Sequence, residues 1–131
     1  MSNIDAELAR QVRERIYIPG FGHRLYPDGD ARAQTLFALM REVLPESARL
    51  AFATRVAAAV ERQIGRKPNV DFATVTLERV LGLPKDSALA LFLLGRTVGW
   101  IAHALEQAAL GALIRPRARY TGPRPETHPA R

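Results

Sequence analysis

Three short stretches of this sequence carry residue types whose chemistry depends on where the chain places them. The first, Ile18-Pro19-Gly20-Phe21-Gly22-His23, ends a tight glycine turn on an imidazole. Two glycines let backbone amides approach a ligand, and a histidine can give or take a proton near neutral pH. A turn of this composition is also, in many chains, simply a turn. The second, Asn69-Val70-Asp71, sets a carboxylate at a helix start just after Pro68. Asn or Asp there ordinarily caps the helix, whereas a partly desolvated Asp71 would be a base. The third embeds Arg96 among Leu94, Gly95, Thr97, Val98, Gly99 and Trp100. A buried guanidinium needs an acid or an anionic ligand, and the flanking glycines admit a closely packed helix or ligand. Arg115, between Ile114 and Pro116, invites the same reading.

The elements that position these residues read as helices separated by Pro and Gly. A short amphipathic helix is expected over residues 5–15, with Leu8 and Val12 one turn apart. A loop follows from Pro19 through Gly29, after which Asp30 caps a helix with the apolar stripe Leu36, Leu39, Met40 and Val43. Pro45 and Glu46 open a third helix that runs to about Ile64 and turns Leu50, Ala53, Val56 and Val60 inward. A fourth is expected over residues 70–81, ended by Gly82 and Pro84. Asp86 or Ser87 caps the fifth and longest, which reaches Leu110 before Gly111. No stretch alternates with period two over a strand length, so the class is all-α.

The fifth helix is apolar almost all round, through Leu89, Leu91, Phe92, Leu93, Leu94, Val98, Trp100, Ile101 and Leu105. Such a helix is normally buried on every side. Four shorter helices in a chain of 131 residues are too few to cover it. It is therefore expected at an oligomer interface or against another polypeptide.

Composition narrows the remaining function classes. No cysteine is present, which removes disulfides, thiolate catalysis and cysteine-bound metals. His23, His103 and His128 match no metal-ligand spacing, so no metal is expected. The N-terminal residues have no apolar run behind their charges, and the longest unbroken apolar run, residues 88–94, is too short to span a bilayer. A soluble cytoplasmic protein with no membrane partner is the expectation. Of the net charge of +6, residues 115–131 supply +4, with five arginines against Glu126. That Pro/Arg-rich tail reads as irregular; it is either a solvated segment or a grip for a polyanion, and nucleic acid is the less expected partner.

Taken in order, four motifs resemble the citrate synthase family. PGFGHRLYPDGDARA (19–33) is similar to its GFGH-R-x-Y motif, with an arginine nine residues after the histidine. PNVDFAT (68–74) is similar to N-V-D-[FY], and GRTVGWIAHALEQ (95–107) to R-x-x-G-W-x-A-H-x-x-E. Leu113-Ile114-Arg115-Pro116, with Tyr120 and Gly122, resembles the family's terminal [IL]-x-R-P and Y-x-G. The resemblance implies an all-α citrate synthase-like small domain over residues 16–84, preceded by a helix over 1–15. Residues 85–115 would then be a last large-domain helix, and 116–131 an irregular tail.

It implies roles as well. His23 would hydrogen-bond and protonate the ketone oxygen of oxaloacetate, and Asp71 would take a methyl proton from acetyl-CoA or a related acyl-CoA. Arg32, Arg96 and Arg115 would clamp the oxaloacetate carboxylates, Arg115 across a dimer interface. Pro19, Gly20, Phe21 and Gly22, with Asn69, would contact CoA. Acyl-CoA is then a substrate, and no cofactor is expected. The sequence departs from the family in lacking two histidines of the larger N-terminal region, one of which polarises the thioester carbonyl. Pro27 stands where many relatives have a basic residue, and Ala31 where proline commonly precedes the arginine. A homo-oligomer, or a complex with a chain that supplies that region, is implied; a non-catalytic binding or regulatory module is the alternative.

Overall fold

The computed structural model describes residues 4–14, 17–115, 117–119 and 121–122. Five helices follow one another: α1 (Ile4–Arg13), α2 (Ala31–Val43), α3 (Ala48–Ile64), α4 (Val70–Leu81) and α5 (Ser87–Leu110). Among the described residues there is no strand, only an isolated bridge between Phe21 and Pro68. The all-α expectation holds. Arg15 and Ile16, at the expected boundary of the first helix, and Pro116, Tyr120 and most of the tail lie outside the described residues.

Local capping explains most of the boundaries. Asp30 accepts from the Arg32 amide at 3.0 Å and starts α2. Asn69 Oδ1 accepts from the amides of Asp71 and Phe72 and starts α4. Asn69, and not Asp71, is therefore the cap, because only the residue before the first helical turn can reach those amides. α3 begins later than Pro45 and Glu46, which form a turn; Ser47 caps the helix by accepting from the Leu50 amide. At α5 neither expected cap acts through its side chain. Asp86 sits at the N-cap with φ 72° and no side-chain cap bond. Glu78 Oε2 of α4 takes the Ala88 amide instead, at 2.8 Å.

Two apolar clusters hold α1–α4 together. Ala33, Phe37 and Met40 of α2 meet Leu50 and Ala53 of α3 and Ala73 of α4. Leu8 of α1 and Phe21 of the loop meet Ala59 and Val60 of α3. The buried stripe of α2 is thus Ala33-Phe37-Met40, with Leu36 beside it, while the expected Leu39 and Val43 face outward. Small Ala33 lets α4 approach, so packing chose a face that hydrophobicity alone did not single out. Phe72 packs against both clusters, its ring 4.7 Å from Phe21 and 6.1 Å from Phe37.

α5 packs on α4 and has no buried residue along its 24 positions. Its length and composition would suffice to cross a membrane, although the unbroken apolar run 88–94 within it would not. That run ends at Gly95, but glycine, threonine and one arginine do not interrupt an apolar helix. A core helix left uncovered passes the same test.

Candidate functional site

The loop bearing His23 is held by backbone pairing to the segment that leads into α4. Gly22 N donates to Lys67 O at 2.8 Å, and Asn69 N donates to Gly20 O at 2.9 Å. Asn69 Nδ2 donates to Gly22 O at 3.1 Å. The Gly22 amide is therefore occupied, and the expectation of an amide-exposing turn is corrected at that position. Gly20 has φ +85°, and a Cβ there would lie 3.0 Å from Phe72 Cβ. Its lack of a side chain serves the approach of α4. Phe21 is buried in the core, so its side chain is turned away from solvent; Asn69 is also buried, with both ends of its amide engaged. Pro19 stays exposed.

Asp30 joins the three parts of this corner. It is 2 % exposed and receives Arg32 Nε and Arg32 Nη2, each at 2.9 Å, as well as the Val70 amide at 3.0 Å. Burial alone would push its carboxyl up. The Arg32 guanidinium and the Val70 and Arg32 amides outweigh burial and hold it below the usual carboxylate range. Arg32 is correspondingly raised, first by the Asp30 hydrogen bonds and against burial, with Tyr26 and Asp71 adding their charge. Asp71 itself is exposed on the first turn of α4.

His23 is half-buried, with Nδ1 accepting from the Leu25 amide at 3.1 Å. Tyr26 lies against it, and the guanidinium of Arg32 lies over the Tyr26 ring. A pocket of about 570 Å³ opens here, walled in part by His23, Tyr26 and Asp30 and by the cations Arg24, Arg66 and Lys67. Three cations around one opening suit a polyanionic ligand. A larger groove of about 760 Å³ between α3 and α4, floored by Phe52, Val56 and Val75, holds none of the expected site residues.

Of the residues expected from sequence, the structure gathers His23, Arg32 and Asp71 around the Asp30 corner, with the loop 19–22 and Asn69. It does not bring Arg96 or Arg115 to them. Arg96 is exposed on α5 and, among the described residues, has no hydrogen bond or ion pair; Arg115 is exposed beyond α5. The expectation that Arg96 is buried and paired is thus corrected, because nothing among the described residues covers the side of the helix that carries it. His103 faces Glu106 on the same helix at 3.6 Å, away from the corner. Sequence reasoning treated Asp30 only as a cap and assigned nothing to Tyr26. The signal for Asp30 was its place two residues before Arg32, which puts cap and cation on one turn.

Comparison with known proteins gives the family. Residues 1–117 match the family model for the C-terminal domain of citrate synthase. The chain is 35% identical over 126 residues to citrate synthase 2 of Bacillus subtilis, covering 94% of this chain and 34% of that protein. It is 43% identical over 109 residues to the citrate synthase of Haloferax volcanii, covering 80% of this chain and 28% of that protein. The crystal structure of citrate synthase from Thermotoga maritima MSB8 matches with a TM-score of 0.75 at 33% identity, covering 95% of this chain and 36% of that one. The chain thus spans about a third of the length of the curated relatives it matches. With the family model covering residues 1–117, nearly the whole chain, this chain belongs to the citrate synthase family.

Proposed function

We propose that this chain supplies one side of the active site for a citrate synthase-type condensation, in which an acyl-CoA adds to oxaloacetate. Asp71 takes the proton from the carbon beside the thioester, and that carbon attacks the ketone. His23 donates to the ketone oxygen as the new bond forms, and water then releases the CoA thiol. Arg32, Arg96 and Arg115 hold the two carboxylates of oxaloacetate. The loop 19–22 and Asn69 lie along CoA, whose phosphates suit Arg24, Arg66 and Lys67. The acyl group is left at the level of a class, since relatives include both citrate synthases and a 2-methylcitrate synthase of Corynebacterium glutamicum. One methylene in a pocket is worth only about 1–3 kcal/mol.

The observation that carries the reading is the Asp30 corner: base-bearing α4, Arg32 and the His23 loop are locked together beside a cation-lined opening. Positioned acid, base and carboxylate clamps are what such a condensation requires. The partner for the enolate oxygen, and a cover for α5, come from the part of the family's length that lies outside these residues. Copies of the chain pair in the complete assembly, bringing Arg115 across.

A second reading, a non-catalytic module that keeps the anion pocket, is favoured by one observation. Within this chain Arg32 is committed to Asp30, and Arg96 and Arg115 stand apart from it. Asp71→Asn in the completed assembly separates the two. The catalytic reading expects thiol release to fall by at least ~100-fold, the usual worth of a positioned base, with oxaloacetate binding retained. Unchanged turnover would remove Asp71 from the catalytic reading.

A further inference from the structure

We propose that Tyr26 is a positioning residue for His23, its ring and the adjacent Leu25 amide together holding the imidazole as the tautomer with its proton on Nε2. A neutral imidazole has one N–H donor and one acceptor nitrogen, and the partner of one nitrogen decides the state of the other. In this loop the Leu25 amide donates to Nδ1 at 3.1 Å, so Nδ1 is the acceptor and Nε2 carries the proton.

That bond spans only two residues and would not by itself stop the ring from rotating away. Tyr26 supplies the second restraint, with its ring centroid 4.7 Å from that of His23 at an interplanar angle of 37°. Two backbone turns fix where Tyr26 sits: its amide donates to His23 O, and its carbonyl accepts from Gly29 N. On its other side the Arg32 guanidinium lies 5.4 Å from the ring centroid and is itself forked onto buried Asp30. The aromatic ring is therefore a shared wall, pressed between a cation anchored on buried Asp30 and the imidazole it orients.

A ring held this way presents a preset N–H donor with no tautomer change needed before it meets an oxygen. What the donor is for rests on the reading of His23 as partner of the substrate ketone, whereas the tautomer is observable without any substrate. Failure of the tautomer assignment and failure of the proposed function are thus separate outcomes.

The test is a long-range ¹⁵N–¹H correlation spectrum of the ¹⁵N-histidine-labelled chain at about pH 8, where an ordinary imidazole is neutral. His23→Gln identifies the His23 signals by their loss. The wild-type ring should show two well-separated nitrogen resonances, the protonated one being Nε2. In Tyr26→Ala the separation should shrink toward the averaged pattern of a free imidazole, and Tyr26→Phe should restore it. Tyr26→Leu, which keeps bulk without an aromatic face, should behave like Tyr26→Ala and stands in for it if that variant does not fold. A wild-type ring protonated on Nδ1, or a spectrum indifferent to both the alanine and the leucine change, would overturn the proposal.

Discussion

The corner around Asp30 and the helix α5 are built on opposite terms. At the corner, the polar groups that the fold buries are answered by side chains and backbone of the same chain. Among the described residues no buried side-chain polar atom lacks a hydrogen-bond partner. Along α5, about 36 Å of apolar helix at 1.5 Å per residue, no residue is buried. Leu94, Val98, Ile101 and Leu105 recur at alternating spacings of four and three and form an open seam. The corner is finished by its own side chains and backbone; α5 is left open among the described residues. An arginine in the first region finds an acid within two residues, and an arginine in the second finds none.

That contrast predicts where the isolated chain is brittle. The largest loss is expected from Phe72→Ala, which removes the one ring packed against both apolar clusters. About 3 kcal/mol should disappear from the urea-unfolding free energy. A loss under about 1 kcal/mol would mean that the two clusters fold independently.

Asp30→Asn should come next, at about 2 kcal/mol. It leaves the Val70 amide without its acceptor and loosens a pair whose arginine is 47 % exposed, which screens part of the effect. The pH dependence follows in sign. Because the folded carboxyl lies below its unfolded value, its stabilisation is complete above the ordinary carboxylate range, near pH 4. It is lost as pH falls through the folded value. Thermal melts between about pH 5 and 2 should therefore drop less steeply in Asp30→Asn than in the wild type. Parallel curves would remove Asp30 from the account.

A smaller effect, about 1–2 kcal/mol, is expected for Gly20→Ala, where positive φ and the nearness of Phe72 act together. The smallest belongs to α5. Leu94→Glu, at a position 70 % exposed, should change the unfolding free energy of the isolated chain by no more than about 0.5 kcal/mol. The same change should abolish association in light scattering. A well-folded wild-type monomer at micromolar concentration would show instead that α5 needs no cover.

The fold was largely legible in the sequence because capping is a local code. Asp30 and the bounds of α4 follow from residues within one turn of each helix end. The misses came where distant residues decide. The buried face of α2 depends on how closely α4 approaches Ala33, and the first amides of α5 are capped by Glu78 ten residues away. At the site, local statistics left Asn69 and Asp71 both open as the cap, and the amides of Asp71 and Phe72 donating to Asn69 decide it. Tyr26 was visible as a letter in a motif, yet its position between His23 and Arg32 is set by a turn and by a cation held on buried Asp30.

The central proposal is that this chain supplies base, acid and carboxylate clamps but not the group that meets the enolate oxygen. It is tested most directly by following thiol release from acetyl-CoA with oxaloacetate, on the chain alone and after adding a citrate synthase-type chain that supplies the N-terminal region. The account predicts no release above background from the isolated chain and turnover on reconstitution that disappears with Asp71→Asn. Turnover by the isolated chain at the level of a complete enzyme would contradict it.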